Sequence, residues 1–319
     1  MNMQGKTIHI TQQTDQRSSA DQFNIETGKP KVSILIISYN QRDYVEEALE
    51  SAINQDYENL EVVISDDGST DGTAEIIAEW QSRYPKRLVA LLNKENVGIT
   101  RNTNRGLHAC TGDFIAFQGG DDILLPGKIT AQVNWFEQDL RRVLCGHQIE
   151  TFYQDGSQSP HLSKLRLRGG IGPLALIKNG VPYGATSIMV RASEIPPYGC
   201  DEKIPSASDF LLWIEVLSSG GEYGYVDVVY ARARRHNSNI TNRVFDMLDD
   251  VEQTFLLVSE RYPRYRVLCA DSIIKHVIYT SGVCHLKEGN KRAARERFIA
   301  TIQKKPLFVK AWIRLFQTF

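Results

Sequence analysis

The chain has 319 residues, 42% of them hydrophobic and 24% charged, with a formal net charge of -1. That length and apolar content suffice for one large packed domain or two modest ones, and they exclude a chain disordered throughout. Cys110, Cys145, Cys200, Cys269 and Cys284 are odd in number and show no C-x-x-C spacing, which argues for buried thiols in a reducing compartment and against a disulfide frame or zinc site.

Residues 1–28 are rich in Gln, Thr, Asp and Ser and poor in apolar side chains, which predicts a flexible arm. They lack the apolar segment of a signal peptide, so a cytoplasmic protein is expected. VSILIISY at 32–39 is a β-branched run that fits a strand buried on both faces. Val45, Ala48, Leu49, Ala52 and Ile53 then recur at helical spacing. LEVVIS at 60–65 predicts a second strand, and Ile76, Ile77, Trp80 and Tyr84 mark the helix after it. RLVALL at 87–92 predicts a third strand, a helix follows over 99–110, and DFIAFQ at 113–118 predicts a fourth strand. This alternation predicts a mostly parallel sheet with helices on both faces.

Beyond Asp122 the pattern loosens, and Gly and Pro are frequent between 169 and 205, a composition of loops that build acceptor sites or simply connect. Helical patterning resumes after residue 246. Phe308, Trp312, Leu315, Phe316 and Phe319 give the last helix an apolar stripe that is expected to pack against the same chain. No apolar run reaches the roughly 18 residues that a membrane span needs. Charge is unevenly spread: residues 261–319 hold 13 Lys plus Arg against 3 Asp plus Glu, or +10, so the first 260 residues carry -11. Two readings stay open for this basic tail, a solvated helical surface packed on the rest of the chain and a peripheral attachment to an anionic membrane.

Two acidic pairs close apolar strands, Asp66 and Asp67 in VVISDDGSTDGT and Asp121 and Asp122 in GDFIAFQGGDD. The carboxyl end of a strand is where an open α/β sheet binds ligands. Acids there suit a nucleobase edge or a metal, and two pairs on neighbouring strands would share a crevice. Asp71 is expected to cap the helix that follows the first pair.

These segments resemble the family 2 glycosyltransferases, the large inverting group with the GT-A nucleotide-sugar fold. The resemblance is carried in order by VSILIISYNQRDYVEEALESAINQDYENLEVVISDDGSTDGT at 32–73, NVGITRNTNRGLHACTGDFIAFQGGDD at 96–122, GATSIMVR at 184–191, SDFLLWIEV at 208–216 and RRHNSNIT at 234–241. It implies an α/β GT-A fold, a mostly parallel Rossmann-like sheet, over 29–243, followed by a helical C-terminal extension over 244–319. Ser38, Tyr39 and Asn40 are implied to border the nucleotide, and Asp67 to accept from the base N–H of a uracil-like ring. Asp66 assists or caps the turn. A carboxylate facing a ring imide favours uridine or thymidine over cytidine, which lacks that proton.

The second pair departs from the family's Asp-x-Asp-Asp, which here reads Gly119, Gly120, Asp121 and Asp122. The resemblance makes Asp121 the retained ligand of Mg²⁺ or Mn²⁺, with Asp122 beside the donor, and Gly120 lets the backbone approach the sugar nucleotide. His236 is implied to lie near the metal and diphosphate. With Arg234 and Arg235 it would meet the charge of the leaving group. Arg101 stands two residues before the place where the family carries an arginine, now Thr103, and is left out of the site. Asp209 matches the second acid of the family's Glu-Asp motif, with Ser208 in place of the Glu, and is implied to be the catalytic base, an N-cap being its plainer role.

The expected function is transfer of a sugar from a UDP or dTDP donor, with inversion, to a saccharide or lipid-linked acceptor in cell-envelope polysaccharide assembly. No nucleic-acid partner is expected. Peripheral contact with the inner membrane face through the basic tail fits that acceptor. Gly119 and Ser208 keep open a sugar-nucleotide-binding or scaffold protein that has lost catalysis. Nucleotidyl transfer is disfavoured, because SYNQRDY after the first strand lacks the glycines of a phosphate loop.

Overall fold

The computed structural model describes residues 28–162, 169–180, 184–239 and 242–319. Nearly all of the expected N-terminal arm, residues 1–27, lies outside the described residues, as do Ile240 and Thr241 at the end of the RRHNSNIT block.

The first half alternates as the periodicity predicts: β1 (Val32–Ser38), α1 (Val45–Ile53), β2 (Leu60–Asp66), α2 (Thr73–Arg83), β3 (Leu88–Leu92), α3 (Ile99–Ala109) and β4 (Phe114–Gly119). The chain continues through β5 (Ile123–Leu124), α4 (Lys128–Glu137), β6 (Arg142–Tyr153), β7 (His161–Leu162), β8 (Gly170–Ile171), α5 (Leu174–Asn179), β9 (Met189–Arg191), α6 (Ser208–Val216) and β10 (Glu222–Arg235). The strands form one sheet in the order β3-β2-β1-β4-β9-β6-β10-β5, with β7 on β6 and β8 on β10. β3, β2, β1 and β4 are parallel, β9 runs antiparallel to both β4 and β6, and β6 and β10 are parallel to each other.

Alternation along the strands divides the core. Val32, Ile34 and Ile36 of β1 pack with Val45, Leu49, Ile77 and Phe136 under α1, α2 and α4. Leu35 faces the other way and packs with Leu107 of α3 and with α6. Because β1 lies between β2 and β4, the two acidic pairs flank the end of β1 and do not sit on adjacent strands.

The helical C-terminal region comprises α7 (Val244–Arg261), α8 (Arg266–Ser272), α9 (Tyr279–Lys287), α10 (Lys291–Lys304) and α11 (Val309–Phe316), with a π-helical stretch, Ile273–Ile278, joining α8 to α9. The resulting helix, Pro263–Lys287, is long and apolar enough to cross a membrane by length and composition, with mean hydropathy 1.2 over its best window. The sequence hides this span because Asp271, Lys275 and His276 interrupt the apolar run. In the fold it packs against α7 and α10, with Cys269 and Val277 buried. α11 differs from expectation: Ala311 is buried, but Trp312, Phe316 and Phe319 face outward.

Candidate active site

Register places Asp66 opposite Ser38 and Gly119 opposite Ile37, so the ends of β2, β1 and β4 form one ledge. Both acids of the first pair are buried and bound to the chain. Asp66 accepts from Ser69 N at 2.9 Å and Ser69 Oγ at 2.6 Å, which closes the turn. Asp67 accepts from Val97 N at 2.8 Å, Gly98 N at 3.0 Å and Asn93 Nδ2 at 3.3 Å. Those bonds leave about one of its roughly four lone-pair sites for a base N–H. Asp67 thus anchors the entry to α3 besides whatever it offers a ligand. Asp71 accepts from Thr73 N at 3.0 Å, a cap one residue before the assigned N-cap Gly72.

Asn40, with φ 49°, donates its N–H to Ser69 Oγ at 2.7 Å and accepts from Thr70 N at 2.9 Å, stapling β1 to the acidic turn. Tyr39 is exposed. Ser38 Oγ and Gln41 Oε1 are buried without a protein partner, the condition of groups that await water or ligand. Both border Gly120, where a Cβ would meet Gln41 Oε1 and lie 3.2 Å from Ser38 Cβ. Gly68 turns the same loop at φ +73°, and a Cβ there would lie 2.5 Å from the Glu95 carbonyl carbon. Gly68→Ala is therefore expected to cost about 1–3 kcal/mol through left-handed strain and a backbone clash. In a thermal melt that is a loss of roughly 2–4 °C per kcal/mol.

At the second pair, the roles of the two acids separate. Asp122 is partly buried and ties β10 to the sheet, accepting from Arg234 N at 3.0 Å and from Thr186 Oγ1. Burial, with the charge of Asp121 adding to it, pushes its carboxyl above the usual carboxylate range. Asp121 turns toward β10 instead. Its Oδ2 accepts from Asn239 Nδ2 at 2.8 Å and faces His236 Nε2 at 3.0 Å. The His236 ring stacks on Tyr44 with centroids 4.6 Å apart, and its Nδ1 meets Ser238 Oγ at 2.8 Å. A Cβ at Gly119 would come 2.7 Å from Asp121 Oδ1, so the glycine makes room for this carboxylate.

This donor set fits a divalent cation. Adjacent ligands in an octahedral shell with bonds of about 2.1 Å stand about 3 Å apart, the separation of Asp121 Oδ2 from His236 Nε2. Among the described residues no three His, Cys, Asp or Glu gather as a metal cluster, and Asp121 and His236 are the pair these residues place here.

Arg234 is held by the protein: its guanidinium bonds Glu47, Gln154 and the Asp121 carbonyl and lies near the Tyr44 and Phe152 rings, so three of its five N–H donors serve the fold. Asn239 was not assigned a role from the sequence, although it stands in the quoted RRHNSNIT block; only the fold turns it onto Asp121.

Asp209 occupies the second position of α6, not its N-cap, which is Ala207. The helix is buried nearly all round, from Phe210 to Val216, and Trp213 meets Phe117 of β4 edge-on at 4.9 Å, so α6 lies over the strand that leads to Asp121. Ser208 gives its hydroxyl to packing, 2.9 Å from Thr100 Oγ1 of α3. Asp250 of α7 accepts from Ser206 N at 2.9 Å and Ala207 N at 2.8 Å, steadying the turn into α6 from outside. Asp209 itself is half-buried, and its carboxyl is raised to about 6 by burial, with the Asp250 charge adding and the Phe210 N–H opposing. α3 joins the two halves: Thr100 reaches Ser208, Asn102 bonds Ser65 of β2 at 2.8 Å, and Asn104 bonds the Cys200 carbonyl at 2.8 Å.

Comparison with known proteins places this geometry. The sequence model of Glycosyl transferase family 2 matches residues 33–193. An uncharacterized protein of Mycobacterium tuberculosis is 31% identical over 218 residues, which cover 67% of this chain and 61% of that protein. Among solved structures, S. aureus TarS 1-349 in complex with UDP-GlcNAc superposes with a TM-score of 0.61 at 18% identity, covering 90% of this chain and 89% of that one. A mannosyltransferase from Pyrobaculum calidifontis in complex with GDP-Man and Mn²⁺ gives a TM-score of 0.57 at 17% identity, over 90% and 79% of the two chains.

Proposed function

The chain belongs to glycosyl transferase family 2 and has its GT-A architecture, and from that premise we propose that it moves a sugar from a nucleoside diphosphate donor to an acceptor hydroxyl with inversion. The observation that carries this reading is the convergence of Asp121, His236 and Asn239 at the end of β4, beneath the helix that bears Asp209. A bound Mg²⁺ or Mn²⁺, held by Asp121 and His236, would neutralise charge on the donor diphosphate. Asp209 takes the proton of the acceptor hydroxyl as its oxygen bonds to C1, and the bond from C1 to the phosphate oxygen breaks to release the nucleoside diphosphate. Asp67 accepts the ring N–H of uracil or thymine, which favours a UDP or dTDP donor, and UDP-GlcNAc in TarS supports the choice. The acceptor is a saccharide or a lipid-linked hydroxyl in cytoplasmic steps of envelope polysaccharide assembly. Ser208 and Gly119 favour the second reading, a donor-binding protein without turnover.

Thermal shift over a panel of nucleotide sugars with Mn²⁺, followed by donor hydrolysis and transfer assays, separates the two. Stabilisation by a UDP-sugar with turnover supports the enzyme, and stabilisation with none across a broad acceptor panel sinks it. A base must be ionised to accept a proton, so kcat/KM is expected to rise with pH through about 6, the value to which burial raises Asp209. Asp250→Asn keeps an acceptor for Ser206 and Ala207 while removing a charge that raises Asp209. That variant is expected to move the acid limb to lower pH, and an unmoved limb would count against Asp209 as its source.

A further inference from the structure

In α11, Val309, Trp312, Ile313 and Phe316 fall at i, i+3, i+4 and i+7, so they share one face. All four are exposed, between 44% and 74%, and Leu307 at 91% and Phe319 at 78% extend the stripe at both ends. The helix is nevertheless seated firmly by its other side. Ala311 and Thr318 are buried, and Arg295 Nη2 donates to the Thr318 carbonyl at 2.8 Å. Folding has thus used one face of α11 and left the more apolar one in water, contrary to what a packing helix does.

The surroundings are basic. Lys310 and Arg314 flank the stripe, and Lys304 and Lys305 close α10 beside it. The three acids of residues 261–319 each lie beside a basic side chain: Asp271 by Lys305, Glu288 3.8 Å from His285 and Glu296 3.5 Å from Arg292. At the foot of α11 a cleft of about 500 Å³ is lined by residues that include Asn179, Lys275, His276, Phe308 and Lys310, with Lys275 Nζ and His276 Nε2 at 3.1 and 3.0 Å from the Lys178 carbonyl. Lys275 and His276 come from the π-helical stretch, the kind of helix defect that often marks functional sites.

We propose that the outer face of α11, with the basic cleft at its foot, docks this protein on an anionic lipid surface. Apolar side chains enter the acyl boundary while Lys and Arg meet lipid phosphates, and Trp312 occupies the level where indole rings are favoured. Charge decides between this occupant and a second copy of the chain. In a two-fold dimer the same patch meets itself, which would set Lys304, Lys310 and Arg314 against their own copies, whereas anionic lipid complements them. The net charge of -11 on the first 260 residues is repelled by the same surface and turns the basic end toward it.

The test is flotation of the full chain with vesicles of phosphatidylcholine alone and with about 30% phosphatidylglycerol. Binding is expected to the anionic vesicles only and to be released by about 0.5 M NaCl. Trp312→Ala with Phe316→Ala is expected to weaken binding roughly tenfold or more per side chain, and Lys310→Glu with Arg314→Glu to abolish it. Lys310, Trp312 and Phe316 are exposed and Arg314 is partly so, and the thermal melts of both double variants are expected to stay near that of the unaltered chain, which excludes unfolding as the cause. Equal flotation on neutral and anionic vesicles, unaltered binding by the Trp312 and Phe316 variant, or a concentration-dependent dimer that this variant disrupts would each overturn the proposal. No donor is present in the assay, so its outcome is separate from that of the transferase reading.

Discussion

Asp209→Asn is expected to lower transfer by about 10²–10⁴-fold while leaving donor affinity within about twofold of its original value. The substitution preserves shape and keeps an oxygen to accept from Phe210 N, so the first turn of α6 should hold. Only the proton-accepting charge is lost. Burial already raises this carboxyl to about 6, close enough to neutral pH for it to be ionised before attack and still basic enough to take a proton. Steady-state kinetics across pH, with calorimetric titration of the donor, gives the answer. Near-normal transfer by the variant would place the base elsewhere, and lost donor binding would make Asp209 part of the donor pocket.

Asp121→Ala is expected to abolish Mn²⁺-dependent stabilisation by UDP and to cut transfer by about 10³-fold, the scale of several kcal/mol of lost charge neutralisation. Asp121 is the point on which His236 and Asn239 converge, and the substitution leaves the imidazole without its carboxylate partner. Asp122→Ala makes the contrast. It removes the acceptor of Arg234 N and of Thr186 Oγ1, so its first effect is expected on stability, by about 1–3 kcal/mol. Melting curves with and without Mn²⁺ and UDP distinguish the two. If Asp121→Ala retained the full Mn²⁺ response, the cation would be held by other residues.

How much of this was legible in the sequence varies by element. β1, β2, β3 and β4 were read to within a residue or so, because each is a continuous buried run between turn residues and the helices between them keep a clear period. β6 and β10, the longest strands, were missed. In their pairing the register shifts between Val226 and Val229 and again between Val229 and Ala231, and such irregularity breaks the alternation that marks a strand. β5, β7 and β8 are two residues each, too short to leave a pattern.

The sequence by itself determined the parallel α/β half of the sheet, the two acidic strand ends and the family, because strand period and motif order are local properties of the chain. Tertiary structure alone decided what each acid is free to do. Asp67 is taken up by amides about 30 residues away, Asp122 is committed to β10, and Asp121 receives Asn239 from across the sheet. Arg234 is anchored to the protein by Glu47 and Gln154, and Asp209 owes its raised carboxyl to burial and to Asp250 on a later helix. The apolar stripe of the last helix was visible as spacing, yet only packing shows that its outer side stays uncovered. Hydrogen bonding, desolvation and burial depend on neighbours distant in the chain, and no local pattern encodes them.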